Sequence, residues 1–242
     1  MSTMQTLIKG AARLGIELTL TQVEQFQRYY ELLTEWNKRI NLTGVTDYEE
    51  VQTKHFLDSL TIIPAIVKQR DMAHLTMIDV GSGAGLPGIP LKIILGQAEL
   101  VLVESVRKKT AFLEELVRQL HLNKVKVVTG RAEEVAHQPE YRERFSVVVS
   151  RALAKLPTLM ELTLPFCAVG GIVIAQKKGD ISQEINEAAT AITVLGGKLQ
   201  DVNKIELLEL SSDRCLVIIN KIQPTPTKYP RRSGMPTKEP IR

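Results

Sequence analysis

A chain of 242 residues with 44% hydrophobic content can bury one substantial core, which excludes a small stapled scaffold and points to one domain with extensions. The net charge of +4 is local: Lys221 to Arg242 holds six basic residues against one acid, and five of the eleven prolines. No apolar stretch approaches the ~20 residues of a membrane span, the N-terminus has no apolar signal core, and Cys167 and Cys215 lie in apolar segments without metal-ligand spacing. The expectation is therefore a cytoplasmic chain with no membrane association, no disulfide and no metal site.

Residues 1–72 are expected to form a helical extension. Thr19 or Thr21 is placed to cap a helix whose apolar positions are Val23, Phe26, Tyr30, Leu33 and Asn37 or Ile40, at three- and four-residue spacing. Trp36 belongs to the same face and is expected as a core anchor. A turn around Asn41 to Asp47 leads to a second helix from about Tyr48 through His55 and Asp58, in which Pro64 sits awkwardly for a helix interior. His55 and Asp58, one turn apart, either face a pocket or serve as ordinary buried hydrogen-bonding groups.

From residue 75 short apolar runs alternate with helical periods, the pattern of a mostly parallel sheet flanked by helices. Strands are expected at 76–80, 100–104, 125–129, 145–150 and 171–176, with helices at about 88–96, 106–121, 156–168 and 181–195. Two further strands, about 198–209 and 214–222, have no helix between them and should pair antiparallel at the sheet edge. The fold class is thus α/β, a seven-stranded mostly parallel sheet with an antiparallel edge hairpin spanning residues 73–222. The basic Pro-rich tail, 223–242, cannot be helix or central strand by composition and reads either as a solvated terminus or as an arm for phosphates.

In an open α/β sheet the ligand sits beyond the carboxyl ends of the strands. After the first strand comes Gly81-Ser-Gly-Ala-Gly-Leu-Pro-Gly88, four glycines in eight residues followed by a helix, built to bring backbone close to a nucleotide. Asp79 in the strand either braces that loop through its amides or merely ends the strand. The second strand ends in Glu104, placed for ribose hydroxyls. The third is followed by Arg131, Ala132, Glu133 and Glu134, the fourth by Arg151 and Lys155, and the fifth by Lys177 and Lys178. With Arg107, Lys108 and Lys109 behind Glu104, the rim should be positive and suit an anionic macromolecule. In the tail, Tyr229 among Arg231 and Arg232 can stack and pair with phosphate together.

Gly83 to Gly88 is formally GxGxxG, compatible with NAD, FAD or S-adenosylmethionine, and no GxxxxGK[ST] loop is present. An NAD-linked oxidoreductase and a non-catalytic RNA-binding module remain as alternatives. The strand, glycine loop, acidic strand end and terminal hairpin together resemble the class I S-adenosylmethionine-dependent methyltransferases, whose fold is Rossmann-like. The stretches EWNKRINLTG, KHFLDSL, DVGSGAGLPGIPLKI, GRAEE, VSRALA and KYPRRSGMPTKEP resemble the bacterial glucose-inhibited division protein B family over nearly the whole chain.

That resemblance implies methyl transfer from S-adenosylmethionine to N7 of one guanine in 16S ribosomal RNA, in the decoding-region loop; the expected partner is the RNA or a small-subunit assembly particle, and the chain is expected to be a monomer. It implies that Gly81, Gly83, Gly85 and Leu86 hold the methionine moiety, Glu104 the ribose, and Ala132 and Glu133 the adenine. Arg151 is implied at the reaction centre, in contact with cofactor or base. From the positive rim and the tail composition, the expected RNA contacts are Arg107, Lys108, Lys155, Lys177, Lys178, Tyr229, Arg231 and Arg232. The chemistry agrees with what the chain lacks: guanine N7 attacks through a ring lone pair, so no general base is needed. The Asn/Asp-Pro-Pro-aromatic turn of amine methylation is replaced by Ser150-Arg-Ala-Leu153. A cysteine nucleophile is not expected at the pocket, with Cys167 well along a helix and Cys215 in the edge hairpin.

Overall fold

The computed structural model describes residues 4–69, 74–210 and 213–241, so the extension boundary expected at 72 and 73 lies outside the described residues. Two helices open the chain, α1 (Gln5–Arg13) and α2 (Leu20–Asn37). Thr19 caps α2 in a reciprocal capping box with Gln22. Its buried face is Val23, Phe26, Tyr29, Leu32 and Leu33. The expected Tyr30 is only half buried, its ring edge-on to Tyr48, because Tyr29 points inward one residue earlier. Trp36 packs edge-on to Phe112 as a core anchor, at 5.7 Å between ring centroids.

The second helix is interrupted: α3 (Tyr48–Val51) passes through a π-helical turn, Gln52–Leu57, into α4 (Asp58–Leu60), and α5 (Ile63–Gln69) restarts with Pro64 in its first turn, where a missing N–H costs nothing. The alternating region follows as β1 (Thr76–Val80), α6 (Gly88–Ile94), β2 (Glu99–Glu104), α7 (Arg107–Gln119), β3 (Val125–Thr129), α8 (Ala132–Val135) and β4 (Phe145–Arg151). Then come α9 (Leu156–Thr163), β5 (Cys167–Lys178), α10 (Ser182–Val194), β6 (Gly197–Lys204), β7 (Arg214–Lys221) and the short α11 (Met235–Lys238).

The sheet order is β3-β2-β1-β4-β5-β7-β6, parallel through β5. The last strand, β7, inserts antiparallel between β5 and β6. Side chains alternate across it with period two. Val147, Val149, Ile172, Ile174, Leu216 and Ile218 join one core with α2, α6 and α7, whereas Val148, Val173, Ala175, Val217 and Ile219 join a second core with α9 and α10. The N-terminal helices therefore cover one face of the sheet and contribute Leu7, Phe26 and Phe56 to its core.

Three expectations are corrected. Helix α9 ends at Thr163, followed by a 3-10 turn over Leu164–Phe166, so Cys167 begins β5 instead of lying in a helix; Pro165 prevents the continuation. Strand β6 stops at Lys204, short of Glu209. The tail is not free of helix, nor is it a detached terminus: with many of its side chains still exposed, it runs back over α8 and α9, is anchored at the buried Thr225, Pro230 and Pro236, and Pro236 occupies the first turn of α11.

Candidate active site

The carboxyl ends of β1, β2, β3 and β4 enclose a cavity of about 550 Å³. Its floor is the glycine loop. Gly81, at φ 76°, turns the chain out of β1, and a Cβ there would lie 2.6 Å from the Leu153 side chain. Gly85, at φ 88°, would carry its Cβ 2.9 Å from the Tyr29 hydroxyl. Three bonds fix the loop from outside, and a fourth holds Glu104 itself. Asp79 Oδ2 accepts from the Gly88 amide at 2.9 Å, so of its two readings, loop brace or strand end, the bond favours the brace. Tyr29 donates its hydroxyl to the Ala84 carbonyl at 2.5 Å. Burial raises the Tyr29 phenol well above its ordinary value, so it stays a donor. Glu104 accepts from the Gly83 amide at 3.0 Å through Oε2 and from Val106 at 2.8 Å through Oε1.

Burial pushes the Asp79 carboxyl up to about 7, with the Gly88 amide and Arg151 pulling the other way; its Oδ1 is buried without a partner among the described residues. Glu104 lies beside the cavity at 7% exposure; Oε1 also accepts from the Ser105 hydroxyl at 3.5 Å, and Oε2 keeps a second lone pair for a ligand hydroxyl. Ala132 and Glu133, opening α8, line the opposite end. Glu133 Oε1 accepts from the Gly234 amide of the tail at 2.9 Å.

Arg151 ends β4 and lines the cavity. Its Nη1 donates to the Lys54 carbonyl and to Asp58 Oδ2, both at 3.1 Å. Asp58 is 1% exposed and meets a second cation on its other oxygen, Arg214 Nε at 3.2 Å, an ion pair without hydrogen-bond alignment. Burial raises the Asp58 carboxyl while Arg151 and Arg214 pull it down. The π-helical turn brings His55 to the same wall. Its Nε2 lies 2.7 Å from Thr43 Oγ1 and its Nδ1 3.1 Å from the Lys54 carbonyl oxygen. Burial, and then Arg151, lower the His55 imidazole to about 4, so it is neutral.

The other expected residues divide. Gly81, Gly83 and Leu86 line the cavity together with Glu104, Ala132, Glu133 and Arg151; Gly85, expected with them, is not among the lining residues and sits against Tyr29, Ile89 and Leu113 behind the loop. Arg107, Lys108, Lys155 and Arg232 are exposed, and Lys178 is exposed beside Asp213 at 3.6 Å. Three expected RNA contacts are instead engaged within the protein, two by bonds and one by packing. Lys177 is held between Glu184 at 2.7 Å and the Ala154 carbonyl at 3.0 Å. Arg231 forms a fork with the fully buried Glu161, at 2.9 Å from Nε and 2.6 Å from Nη2. Tyr229 packs half buried against the second core. A basic residue in a short segment reads as solvated until the acid that binds it is placed by the fold.

Sequence reasoning did not single out Tyr29, Thr43, Leu153, Arg214 or Thr237. Tyr29 was accessible at the same helical spacing that selected Tyr30; the others reach the site only through tertiary contacts. Among the described residues no group of three or more His, Cys, Asp or Glu could hold a metal ion, and no helix is long and apolar enough to cross a membrane.

The chain matches the family model for rRNA small subunit methyltransferase G over residues 22–211. It is 49% identical over 238 residues to the ribosomal RNA small subunit methyltransferase G of Dehalococcoides mccartyi strain CBDB1, covering 98% of this chain and 100% of that one. It is 43% identical to the protein of the same name from Acetivibrio thermocellus, covering 97% and 95%. Among solved structures, it is similar to MtNAS in complex with MTA and tNA, with TM-score 0.55 and 15% identity over 91% of this chain and 76% of that one. A similar match is the CurJ carbon methyltransferase, with TM-score 0.55 and 12% identity over 91% and 67%. At such identities the structural matches speak to the fold alone, a class I methyltransferase sheet. The match of family model and curated relatives over nearly the full length shows that the chain belongs to the rRNA small subunit methyltransferase G family.

Proposed function

We propose that the protein transfers a methyl group from S-adenosylmethionine to N7 of one guanine in 16S ribosomal RNA. The observation that carries this reading is a single cavity onto which the glycine-loop amides, Glu104, Glu133 and Arg151 converge from four adjacent strand ends. The residues fit the cofactor: a glycine-floored end for an amino-acid moiety, an acid for ribose hydroxyls, and a small residue beside an acid for adenine. When bound, S-adenosylmethionine supplies an electrophilic methyl on a sulfonium.

The protein's part is orientation and charge placement. Tyr29, Asp79 and Glu104 hold the loop so that cofactor position is fixed before the base arrives, which is where rate comes from when no proton must move. The neutral His55 has both ring nitrogens engaged, to Thr43 and to the Lys54 carbonyl, so the wall beside Arg151 presents no free base. That suits attack by a ring lone pair. Asp58 fixes the Arg151 guanidinium and offsets its charge, leaving the far side of the fork to face the cavity. The exposed Arg107, Lys108, Lys155 and Arg232 are the proposed phosphate contacts, with Lys178 further along the rim.

Incubation with labelled S-adenosylmethionine and unmodified small ribosomal subunits, in parallel with naked 16S RNA, tests the reading. Label is expected in the RNA of the subunits. Cofactor binding with no transfer to either substrate would refute it.

A further inference from the structure

The tail is seated by specific bonds to buried groups on α8 and α9. Arg231 closes on Glu161, which is 0% exposed on α9, and donates its backbone amide to the same carboxylate at 2.7 Å. Five residues on, Pro236 is buried and its carbonyl accepts from Thr158 at 2.9 Å. Between these anchors the Gly234 amide donates to Glu133 Oε1 at 2.9 Å, and Thr237 lines the cavity beside Glu133. Gly234 stands at φ 86°, the left-handed conformation that turns the chain toward α8.

From this arrangement we propose that residues 229–241 form the outer wall of the adenine end of the cavity, with Thr237 contacting the cofactor and Gly234 holding the Glu133 carboxylate in its binding orientation. The inference rests on the assignment of this cavity to S-adenosylmethionine. Glu133 has two oxygens. The tail amide takes one, which fixes the carboxylate plane and leaves the other for a donor in the cavity. Without the tail, Glu133 is free to swing to solvent and the adenine end opens. The tail is then a cofactor-binding element, although its composition suggested an RNA arm. Binding and tail seating are also linked: a ligand that needs Glu133 in place stabilises the seated tail, and by reciprocity the seated tail raises affinity.

The test compares the full chain with a chain ending at Arg232, which keeps Arg231 on Glu161 but lacks Gly234 and Thr237. Calorimetric titration with S-adenosylhomocysteine and with methylthioadenosine is expected to show about tenfold or greater loss for both ligands in the shortened chain, as for loss of a charge-assisted bond in the site. Equal affinity of the two chains overturns the inference. Failure of the full chain to bind either ligand instead refutes the cofactor assignment beneath it. Should the shortened chain not fold, amide hydrogen exchange on the full chain decides. Exchange in 229–241 is expected to slow at least severalfold when S-adenosylhomocysteine saturates the site, and unchanged exchange there overturns the inference.

Discussion

Replacing Asp58 with alanine should reveal how Arg151 is held. Among the described residues, Asp58 is the one carboxylate within ion-pair distance of both Arg151 and Arg214, at 3.1 and 3.2 Å, and their side chains are only 15% and 21% exposed. Asp58→Ala strands two largely buried cations, and breaking a buried pair from one side costs about 3–5 kcal/mol. Arg151→Ala leaves Asp58 with Arg214 and should cost less, about 1–2 kcal/mol. In the double variant one stranded cation is gone, so its cost should fall short of the sum of the singles by at least about 1 kcal/mol. Urea unfolding of all four chains at constant m-value reads these energies, and methyl transfer read alongside should be lost in every variant. Additivity within about 0.5 kcal/mol would refute the idea that Asp58 acts through Arg151.

Three further outcomes follow from the same geometry. Tyr29→Phe removes the donor to the Ala84 carbonyl, and should cost about 1–2 kcal/mol in urea unfolding while weakening S-adenosylmethionine binding in calorimetry; unaltered affinity would detach Tyr29 from the loop. His55 sits at about 4 in the folded protein against 6.5 unfolded, so the unfolded chain takes the proton first. Stability is therefore full above 6.5 and lost as pH falls toward 4, by up to roughly 3 kcal/mol, and His55→Gln should flatten that slope in unfolding measured across the window. Asp79 has the opposite sign. At about 7 folded against 3.8 unfolded, its burial weakens the fold as pH rises through that window, and Asp79→Asn should remove this fall; an unchanged profile would mean the carboxyl is not desolvated.

Much of this architecture was legible because it is periodic. The expected β1 and β3 match at both ends, and α10 falls within a residue of its expected bounds, since β-branched runs bounded by glycine and charge leave few alternatives. The glycine loop and Glu104 were legible for a related reason: the ligand edge of a parallel sheet lies in sequence directly after each strand. What stayed hidden depends on contacts between distant segments. Tyr29 and Tyr30 fit the helical face almost equally until the loop carbonyl of Ala84 selects one. Lys177 and Arg231 look like free cations until Glu184 and Glu161 are brought against them. The Pro-rich tail has the composition of a solvated terminus, and its order comes from buried acids on α8 and α9 that no local pattern in residues 223–242 announces.

The central claim is one atom of one base. Small subunits treated with this protein and S-adenosylmethionine, then with borohydride and aniline, should have their 16S RNA cut at a single guanine, because that chemistry breaks the strand only at N7-methylguanosine. Label incorporated without any such cut would place the methyl on another atom and contradict the account.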